Sequence, residues 1–465
     1  MLKKLLSHSL IYGLSPQIGT VAGVFALPLI TQYLTAFDYG VWGIITAYSG
    51  GLQALATLGL SVVLHNTFFK MPKQYKWMWR QIYGFLILWS IPYALLLCVL
   101  LYWVVPSDVG GNKFLLIGLV ILPIVLFGPT SILGPFYYQL NQKPLPIAVR
   151  NIVFGLLTVG LQIYTISHLR LGYMGWAWSG FIVNVLLNFS YWYIVNFKLG
   201  YTPIFNFKWK SIRQALKISL PTIPHYYAYY ILESSDKVMM ERLKVPIAQL
   251  GEYNLASRFG NYFSAFVNAA NKAIGPMMLK TYQEKNDEAT KNIVFMFQII
   301  LLYLSFSYSI WSKEVFSILI KNDALKTIYP LSIIMVMAYN YRPMYIGVSN
   351  KLFYVEKTNL LWQISFVAGV LNVLLNLICI PIWGFEAAAY TTFASLMYMG
   401  YAGFFIKKIN IHTSTKLYPA FWFCITILLT FVAYQAVEMN LTVKIILSIF
   451  TTLTAVVSLQ FLNRK

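Results

Sequence analysis

Residues 219–280 read SLPTIPHYYAYYILESSDKVMMERLKVPIAQLGEYNLASRFGNYFSAFVNAANKAIGPMMLK, and this stretch, the charged hairpin, decides the fold. It contains two largely apolar runs, each long enough to cross about 30 Å of hydrocarbon, joined by a turn near Gly251. Strong charges interrupt these runs at Glu233, Asp236, Lys237, Arg258 and Lys272. Because charge at membrane depth is costly and commonly functional, we expect the functional site here.

The composition is that of a membrane protein. Of 465 residues, 58% are hydrophobic and only 11% are charged, whereas about 25% are charged in a typical soluble domain. The net charge of +21 does not indicate a nucleic-acid partner, because the basic residues lie in short segments between apolar runs. Cys98, Cys379 and Cys424 stand singly in apolar segments, a pattern that indicates neither disulfides nor a metal site.

The apolar runs predict an all-α polytopic membrane protein with about 14 transmembrane helices. Each run is about 20 residues long, the length that spans a bilayer as a helix. The runs begin near Ser9, Val41, Ile82, Phe114, Ile147, Gly175, Ile218, Tyr253, Ile293, Leu325, Thr358, Phe385, Tyr418 and Leu441.

Lys and Arg are concentrated in alternate gaps between these runs, and this asymmetry predicts the orientation. Cytoplasmic loops carry the excess of positive charge, so both termini are expected in the cytoplasm. The most basic gap, residues 196–217, contains Trp209 to Ile218, which we expect to form an amphipathic segment at the membrane surface.

A weak internal repeat predicts two lobes of six helices each. The segment from Tyr33-Leu34 to Asp38-Tyr39-Gly40 resembles the segment from Arg242-Leu243 to Leu250-Gly251-Glu252-Tyr253. Likewise, residues 171–177 (LGYMGWA) resemble residues 383–389 (WGFEAAA). Since six helices return the chain to the same side, the repeat would be parallel, with the two lobes around a central cavity. The predicted domains are residues 1–210, residues 211–406, and a pair of additional helices in residues 407–465.

Helical periodicity places the polar residues of the charged hairpin on two faces. On the seventh helix, Tyr226, Tyr230, Glu233 and Lys237 fall within about 60° of one another. On the eighth helix, a face about 80° wide carries polar side chains over several turns. That face contains Asn254, Arg258, Asn261, Ala265, Asn268 and Lys272. Neither face is suited to lipid, so each must meet water or another helix.

Two interpretations of these charges remain open. In one, Glu233 pairs with Lys237 and Asp236 with Arg258, and the pairs only fix helix register. In the other, the charged hairpin and the tenth helix line a cavity for an anionic, polar substrate. The candidate substrate-binding residues are then Arg258, Lys272, Arg342, Asn261, Asn268, Tyr226 and Tyr230. The candidates for ion coupling or ion pairing are Glu233, Asp236 and Lys237. Asn372 and Asn376, four residues apart, are expected to form interhelical hydrogen bonds.

Several motifs, taken in order along the chain, resemble one family of transporters. They are residues 27–34 (LPLITQYL) with 38–42 (DYGVW), residues 58–60 (LGL), residues 220–225 (LPTIPH), residues 235–237 (SDK), residues 251–253 (GEY), and residues 371–376 (LNVLLN) leading to Pro381. In this respect the chain resembles the Wzx-type polysaccharide flippases of the multidrug/oligosaccharidyl-lipid/polysaccharide exporter superfamily.

This resemblance implies a MATE-like fold of two six-helix lobes with two extra C-terminal helices. It implies a bacterial cytoplasmic-membrane flippase that moves an undecaprenyl-diphosphate-linked oligosaccharide by alternating access, for O-antigen or capsule assembly. The implied partners are membrane lipid, a polysaccharide polymerase and a chain-length regulator. No cofactor, metal or catalytic residue is expected, and coupling to H⁺ or Na⁺ stays open, with Glu233 and Asp236 as candidates.

Two other functions compete with this one. A cation-coupled multidrug exporter of the same superfamily would be expected to have an acidic cavity, whereas the charged hairpin and Arg342 carry more base than acid. A membrane-embedded polymerase or glycosyltransferase would need a donor-binding or catalytic loop. The gaps here contain no paired-carboxylate, glycine-rich phosphate or metal motif, so an enzyme is not expected.

Overall fold

The computed structural model describes residues 2–355, 357, 360–410 and 415–463, and their regular secondary structure is entirely helical. The α-helices are α1 (Leu2–Ile30), α2 (Ala36–Thr57), α3 (Ser61–Lys70), α4 (Tyr75–Val104), α5 (Lys113–Val125), α6 (Thr130–Leu140), α7 (Leu145–Gln162), α8 (Tyr173–Tyr193), α9 (Trp209–Ser219), α10 (Ile223–Arg242), α11 (Ile247–Gln283), α12 (Asp287–Ile310), α13 (Ser312–Leu319), α14 (Asp323–Lys326), α15 (Tyr329–Ala338), α16 (Arg342–Tyr354), α17 (Leu361–Trp383), α18 (Ala387–Phe405), α19 (Lys407–Asn410), α20 (Pro419–Ala436) and α21 (Leu441–Asn463).

These helices confirm the predicted all-α polytopic membrane fold. Within the part of the chain that the structure describes, nine helical segments are long and apolar enough to cross a membrane. Other predicted spans are more polar, such as α10 and α11 of the charged hairpin, or are interrupted, such as α15 and α16. Together the helices agree with the predicted total of about 14 transmembrane elements.

Two predicted spans are broken in the middle, which the apolar pattern did not indicate. The run beginning near Val41 becomes α2 and α3, because Leu58 and Gly59 adopt positive φ angles of 48° and 68°. A side chain at Gly59 would lie 2.5 Å from the Thr222 hydroxyl and 2.7 Å from the Ser219 carbonyl oxygen, so only glycine fits there. The run beginning near Phe114 similarly divides into α5 and α6.

The chain forms two compact units, residues 1–230 and residues 231–465, and the boundary falls within α10. In the first unit, Asp38 joins the beginnings of α2 and α8. One of its carboxylate oxygens accepts hydrogen bonds from the backbone and hydroxyl of Thr35, which completes a capping box. The other accepts the Tyr173 backbone N–H at 2.8 Å. Gly172, with φ of 55°, allows this approach, since a side chain there would lie 2.4 Å from the carboxylate.

The predicted amphipathic segment is confirmed as the helix α9. Ile212 and Ala215 are buried against the core of the first unit, whereas Lys210, Arg213 and Lys217 are exposed. The helix therefore presents one apolar and one basic face, the arrangement expected of a segment at a membrane surface.

In the second unit, ion pairs attach α21 and the turn that precedes it to α13. Lys444 of α21 is 1% exposed, and its ammonium lies 2.6 Å from the Glu314 carboxylate. In a second pair, the Lys313 ammonium lies 2.6 Å from the Glu438 carboxylate, and both side chains are about half exposed. The first pair is therefore the one whose loss would leave a charge buried.

We expect Glu314→Ala to destabilise the protein by roughly 3 kcal/mol, because the buried Lys444 ammonium would lose its carboxylate. Adding Lys444→Met to this variant should restore most of the loss, since the charge is removed and the apolar volume is kept. The matched control is Glu438→Ala, which breaks the exposed pair and should cost less than about 1 kcal/mol. Unfolding in a mixed-detergent titration measures all three, and equal losses for Glu314→Ala and Glu438→Ala would contradict the expectation.

Candidate functional site

The charged hairpin forms α10 and α11, both longer than the predicted runs. The first turns of α10 belong to the first unit, where two tyrosine hydroxyls donate to backbone carbonyls of α2. Tyr230 donates to Ala47 at 2.6 Å, and Tyr226 donates to Gly50 at 3.1 Å. Within the first unit, these two predicted substrate-binding residues therefore hold the first turns of α10 against α2 through their hydroxyl groups.

Asp236 lies at the centre of a buried hydrogen-bond network in the second unit. The residue is 4% exposed, and its carboxylate accepts three hydrogen bonds, from Tyr253 at 2.5 Å, from Thr392 at 2.8 Å and from Asn376 at 3.0 Å. The donors come from α11, α18 and α17, so the network connects four helices at one carboxylate. The three donors are neutral side chains.

The network continues through amides and hydroxyls. Asn372 accepts from Ser235 at 2.8 Å and from Asn376 at 3.1 Å, and it donates to Thr392 at 3.2 Å. Thr391 donates to the Asn376 side-chain oxygen. The predicted interhelical role of Asn372 and Asn376 is confirmed. We define the Asp236 network as Ser235, Asp236, Tyr253, Asn372, Asn376, Thr391 and Thr392.

A cavity of about 50 Å³ lies beside the Asp236 network, with room for more than one water molecule. It is bounded by Asp236, Tyr253 and Thr392 of the network, and by Glu233, Lys237 and Asn261. Three of the predicted coupling residues and one predicted substrate-binding residue thus meet at one small polar cavity.

Arg342 begins α16, directly after a 3₁₀ turn at Tyr339–Tyr341. Its side chain is 8% exposed, and one guanidinium nitrogen lies 3.6 Å from the Glu233 carboxylate, whose own side chain is 49% exposed. The guanidinium also lies 5.1 Å from the centre of the Tyr341 ring, within cation–π distance. The structure thus pairs Glu233 with a residue far along the chain, whereas the sequence suggested Lys237.

This geometry predicts unequal effects for the two partners of the pair. Glu233→Gln should cost less than about 1 kcal/mol, because the carboxylate is half exposed and the separation is longer than a hydrogen bond. Arg342→Ala should cost about 2–5 kcal/mol, because it empties a large buried side-chain site. Arg342→Met fills that site and should recover much of the loss. Mixed-detergent unfolding measures these free energies of unfolding. If Glu233→Gln lost more stability than Arg342→Ala, the conclusion that Arg342 is the more important partner of the pair would be refuted.

The other candidate binding residues lie along α11. This unbroken helix of 37 residues is roughly 55 Å long. Arg258 is half-buried, whereas Asn261, Asn268 and Lys272 are exposed. Lys272 follows Arg258 by about 21 Å along the helix axis, so the two cations do not form one cluster. They are separate positions on the same polar face.

The Asp236 network offers only oxygen ligands to a cation. Carboxylate, amide and hydroxyl oxygens suit small, hard cations. Among the residues that the structure describes, no group of three or more His, Cys, Asp or Glu side chains could hold a metal ion. The oxygen ligands are one carboxylate and neutral groups, and the Lys237 side chain lies near enough for its charge to interact with Asp236. Such a site is suited to a monovalent charge, either Na⁺ or a proton, rather than to a transition metal.

Comparisons with known proteins find the fold but no close relative. No protein-family model and no curated protein sequence matches the chain. Among solved structures, the lipid II flippase MurJ in an inward closed conformation superimposes with a TM-score of 0.62, at 13% identity over 91% of this chain and 97% of that chain. An inward-facing multidrug resistance MATE family transporter of the MOP superfamily gives a TM-score of 0.59, at 16% identity over 89% of this chain and 99% of that chain. At these identities the likeness shows a shared fold, as the MATE-like prediction expected.

Proposed function

We propose that the protein is a flippase that moves a polyprenyl-diphosphate-linked oligosaccharide across the bacterial cytoplasmic membrane by alternating access. The diphosphate passes along the polar face of α11, where Arg258 and Lys272 contact phosphate oxygens and Asn261 and Asn268 bind sugar hydroxyls. The lipid tail stays in the bilayer, and both termini lie in the cytoplasm.

The observation that carries this proposal is the polar face of α11. Exposed amide and ammonium groups occur there in a helix much longer than the apolar thickness of a bilayer, about 30 Å. Lipid cannot solvate such groups, so the face requires water or a polar ligand. Two fixed cations about 21 Å apart suit a phosphate-bearing substrate that moves along the helix. The fold shared with the MurJ lipid II flippase supports a lipid-linked substrate.

Movement is coupled to a cation at the Asp236 network. The carboxylate is buried, and its three hydrogen-bond donors are neutral. A proton or Na⁺ would neutralise this charge and bind oxygens from α10, α17 and α18 together. Because binding would join these helices, it would favour one arrangement of the second unit over another.

Reconstitution tests the proposed function. Proteoliposomes containing the full chain and a fluorescent undecaprenyl-diphosphate-linked N-acetylglucosamine are exposed to a membrane-impermeant reductant that quenches only the outer leaflet. Protein-dependent loss of the protected fraction would support the proposal, with protein-free liposomes as the control. Accumulation of a lipid-linked oligosaccharide in a gene-deletion strain would agree with it. The proposal would be overturned if the protected fraction in proteoliposomes stayed unchanged and the deletion strain accumulated no lipid-linked oligosaccharide.

A multidrug exporter is the second candidate, favoured by the fold shared with the MATE family transporter. Ethidium efflux from cells that express the protein distinguishes the two. Efflux that depends on Asp236, together with normal surface polysaccharide in the deletion strain, would favour the exporter. The bases Lys237, Arg258 and Arg342, near Glu233 and Asp236 of α10, favour an anionic substrate instead.

A further inference from the structure

A second pocket, of about 420 Å³, lies between α17 and α18 on another side of the second unit. Its polar lining consists of Glu386 just before α18, and Tyr390 and Thr391 of α18, and the rest of the lining is Leu375, Cys379, Trp383, Ala387 and Ala394. Glu386 and Tyr390 are exposed, whereas Thr391 is 4% exposed. The pocket therefore runs from an exposed carboxylate to a buried hydroxyl. Along the helix axis, the two are about 7 Å apart.

The Asp236 network contributes to the lining of both this pocket and the 50 Å³ cavity described above. Thr391 lines the α17–α18 pocket, and its hydroxyl donates to Asn376, which in turn donates to Asp236. The next residue, Thr392, lines the small cavity and donates to Asp236 directly. Two adjacent threonines thus face two different spaces, with the carboxylate between them.

The exposed end of the α17–α18 pocket is acidic in a strongly basic protein. Glu386 lies close enough to Glu252 of α11 for their charges to interact. The chain has only 14 Asp and Glu residues against 35 Lys and Arg residues. Neighbouring carboxylates raise the local concentration of cations and oppose the net positive charge of the protein.

We propose that the α17–α18 pocket is the route by which the coupling cation reaches the Asp236 network, with Glu386 attracting the cation at its mouth. This inference rests on the cation coupling in the proposed function. The Tyr390 and Thr391 hydroxyls provide oxygens along the route. Rotation of Thr391 away from Asn376 opens the last step, because it frees the Asn376 oxygen for the cation. The cation is Na⁺ or a proton, which share this requirement for oxygen ligands.

The natural thiol of Cys379 allows a direct test of whether the pocket is wet. In a Cys98→Ser, Cys424→Ser variant, a cationic, membrane-impermeant methanethiosulfonate is added to proteoliposomes. The matched Cys98→Ser, Cys379→Ser variant retains only Cys424. We expect Cys379 to react about tenfold faster than Cys424, because a thiolate forms only in contact with water and the proposed route brings water to Cys379. NaCl in place of choline chloride should slow the reaction. Equal rates for Cys379 and Cys424 would overturn the route and indicate a pocket filled by lipid chains.

Glu386→Gln tests the mouth of the route. Thermal stabilisation is measured against NaCl concentration at fixed pH, and against pH in choline chloride, so the two arms distinguish Na⁺ from H⁺. We expect the apparent dissociation constant of the responding cation to rise about three- to tenfold, with the maximum stabilisation unchanged. The control is Asp108→Asn, an exposed acid in the first unit, which should leave the titration unchanged.

The same titrations separate the route from the coupling itself. A response that is lost in Asp236→Asn and unchanged in Glu386→Gln would overturn the route and keep the coupling. A wild-type protein that responds to neither cation would overturn both.

Discussion

Arg258→Ala and Lys272→Ala should each abolish or strongly reduce surface polysaccharide while protein abundance stays normal. On the proposed function, each cation contacts phosphate, and a charge-assisted hydrogen bond contributes about 1.5–3 kcal/mol. Loss of one contact would lower affinity by roughly 10- to 150-fold. The measurement is polymer level in a deletion strain carrying each variant, with flipping of the fluorescent lipid-linked sugar as the biochemical readout.

Matched controls separate phosphate contact from general loss of charge. Arg242 is the last residue of α10 and Lys280 lies near the end of α11, and their side chains are 65% and 71% exposed. Alanine at either position removes the same charge and should leave polymer at the wild-type level. Wild-type polymer in Arg258→Ala or Lys272→Ala cells would refute the phosphate assignment for that residue.

Arg258→Lys refines the assignment further. A guanidinium binds phosphate through two parallel N–H groups, whereas an ammonium acts as a point charge. If the Arg258 guanidinium contacts phosphate through both N–H groups, the rate of flipping in Arg258→Lys should therefore lie between the rates of wild type and Arg258→Ala. At Lys272, Lys272→Arg should be tolerated, because a point charge makes no demand on geometry.

The sequence predicted most of the helices because membrane length and apolar composition are local properties. The eighth predicted helix began near Tyr253 and is observed as Ile247–Gln283, with additional turns at both ends. The break at Leu58–Gly59 could not be predicted in the same way, since Leu-Gly is compatible with a continuous helix. It depends on the approach of Ser219 and Thr222, which are distant in sequence.

The candidate site was predicted only in part, because its hydrogen bonds join residues that are distant in sequence. Asp236 was singled out as a charge within an apolar run, and the four-residue spacing of Asn372 and Asn376 suggested interhelical bonding. The partners of Asp236, however, lie between 17 and 156 residues away along the chain. The sequence offered a pairing with Arg258 as one of two open interpretations, and it gave no indication that tertiary packing places three neutral donors at the carboxylate. Thr391 and Thr392 gave no signal, because threonine is common in transmembrane helices and often bonds to its own backbone.

Asp236→Asn should fold but lose every cation-dependent response. Asparagine has nearly the shape of aspartate, and the Tyr253 and Thr392 hydroxyls can accept hydrogen bonds from its amide as well as donate. The amide carries no charge, so neither Na⁺ nor a proton is bound. A bound cation stabilises by about 1.4 kcal/mol for each tenfold rise in concentration above the dissociation constant. Wild type should therefore gain stability along the titration of the coupling cation, and Asp236→Asn should not.

Ser235→Ala is the control within the same network. It removes the 2.8 Å hydrogen bond to Asn372 and leaves the carboxylate intact, so it should cost about 1 kcal/mol and retain the full cation response. A response that persists in Asp236→Asn would show that the cation binds elsewhere. A response lost in both variants would mean that the intact network, rather than the charge of Asp236, is required. Because the two variants differ in whether the carboxylate remains, only loss confined to Asp236→Asn assigns coupling to that charge.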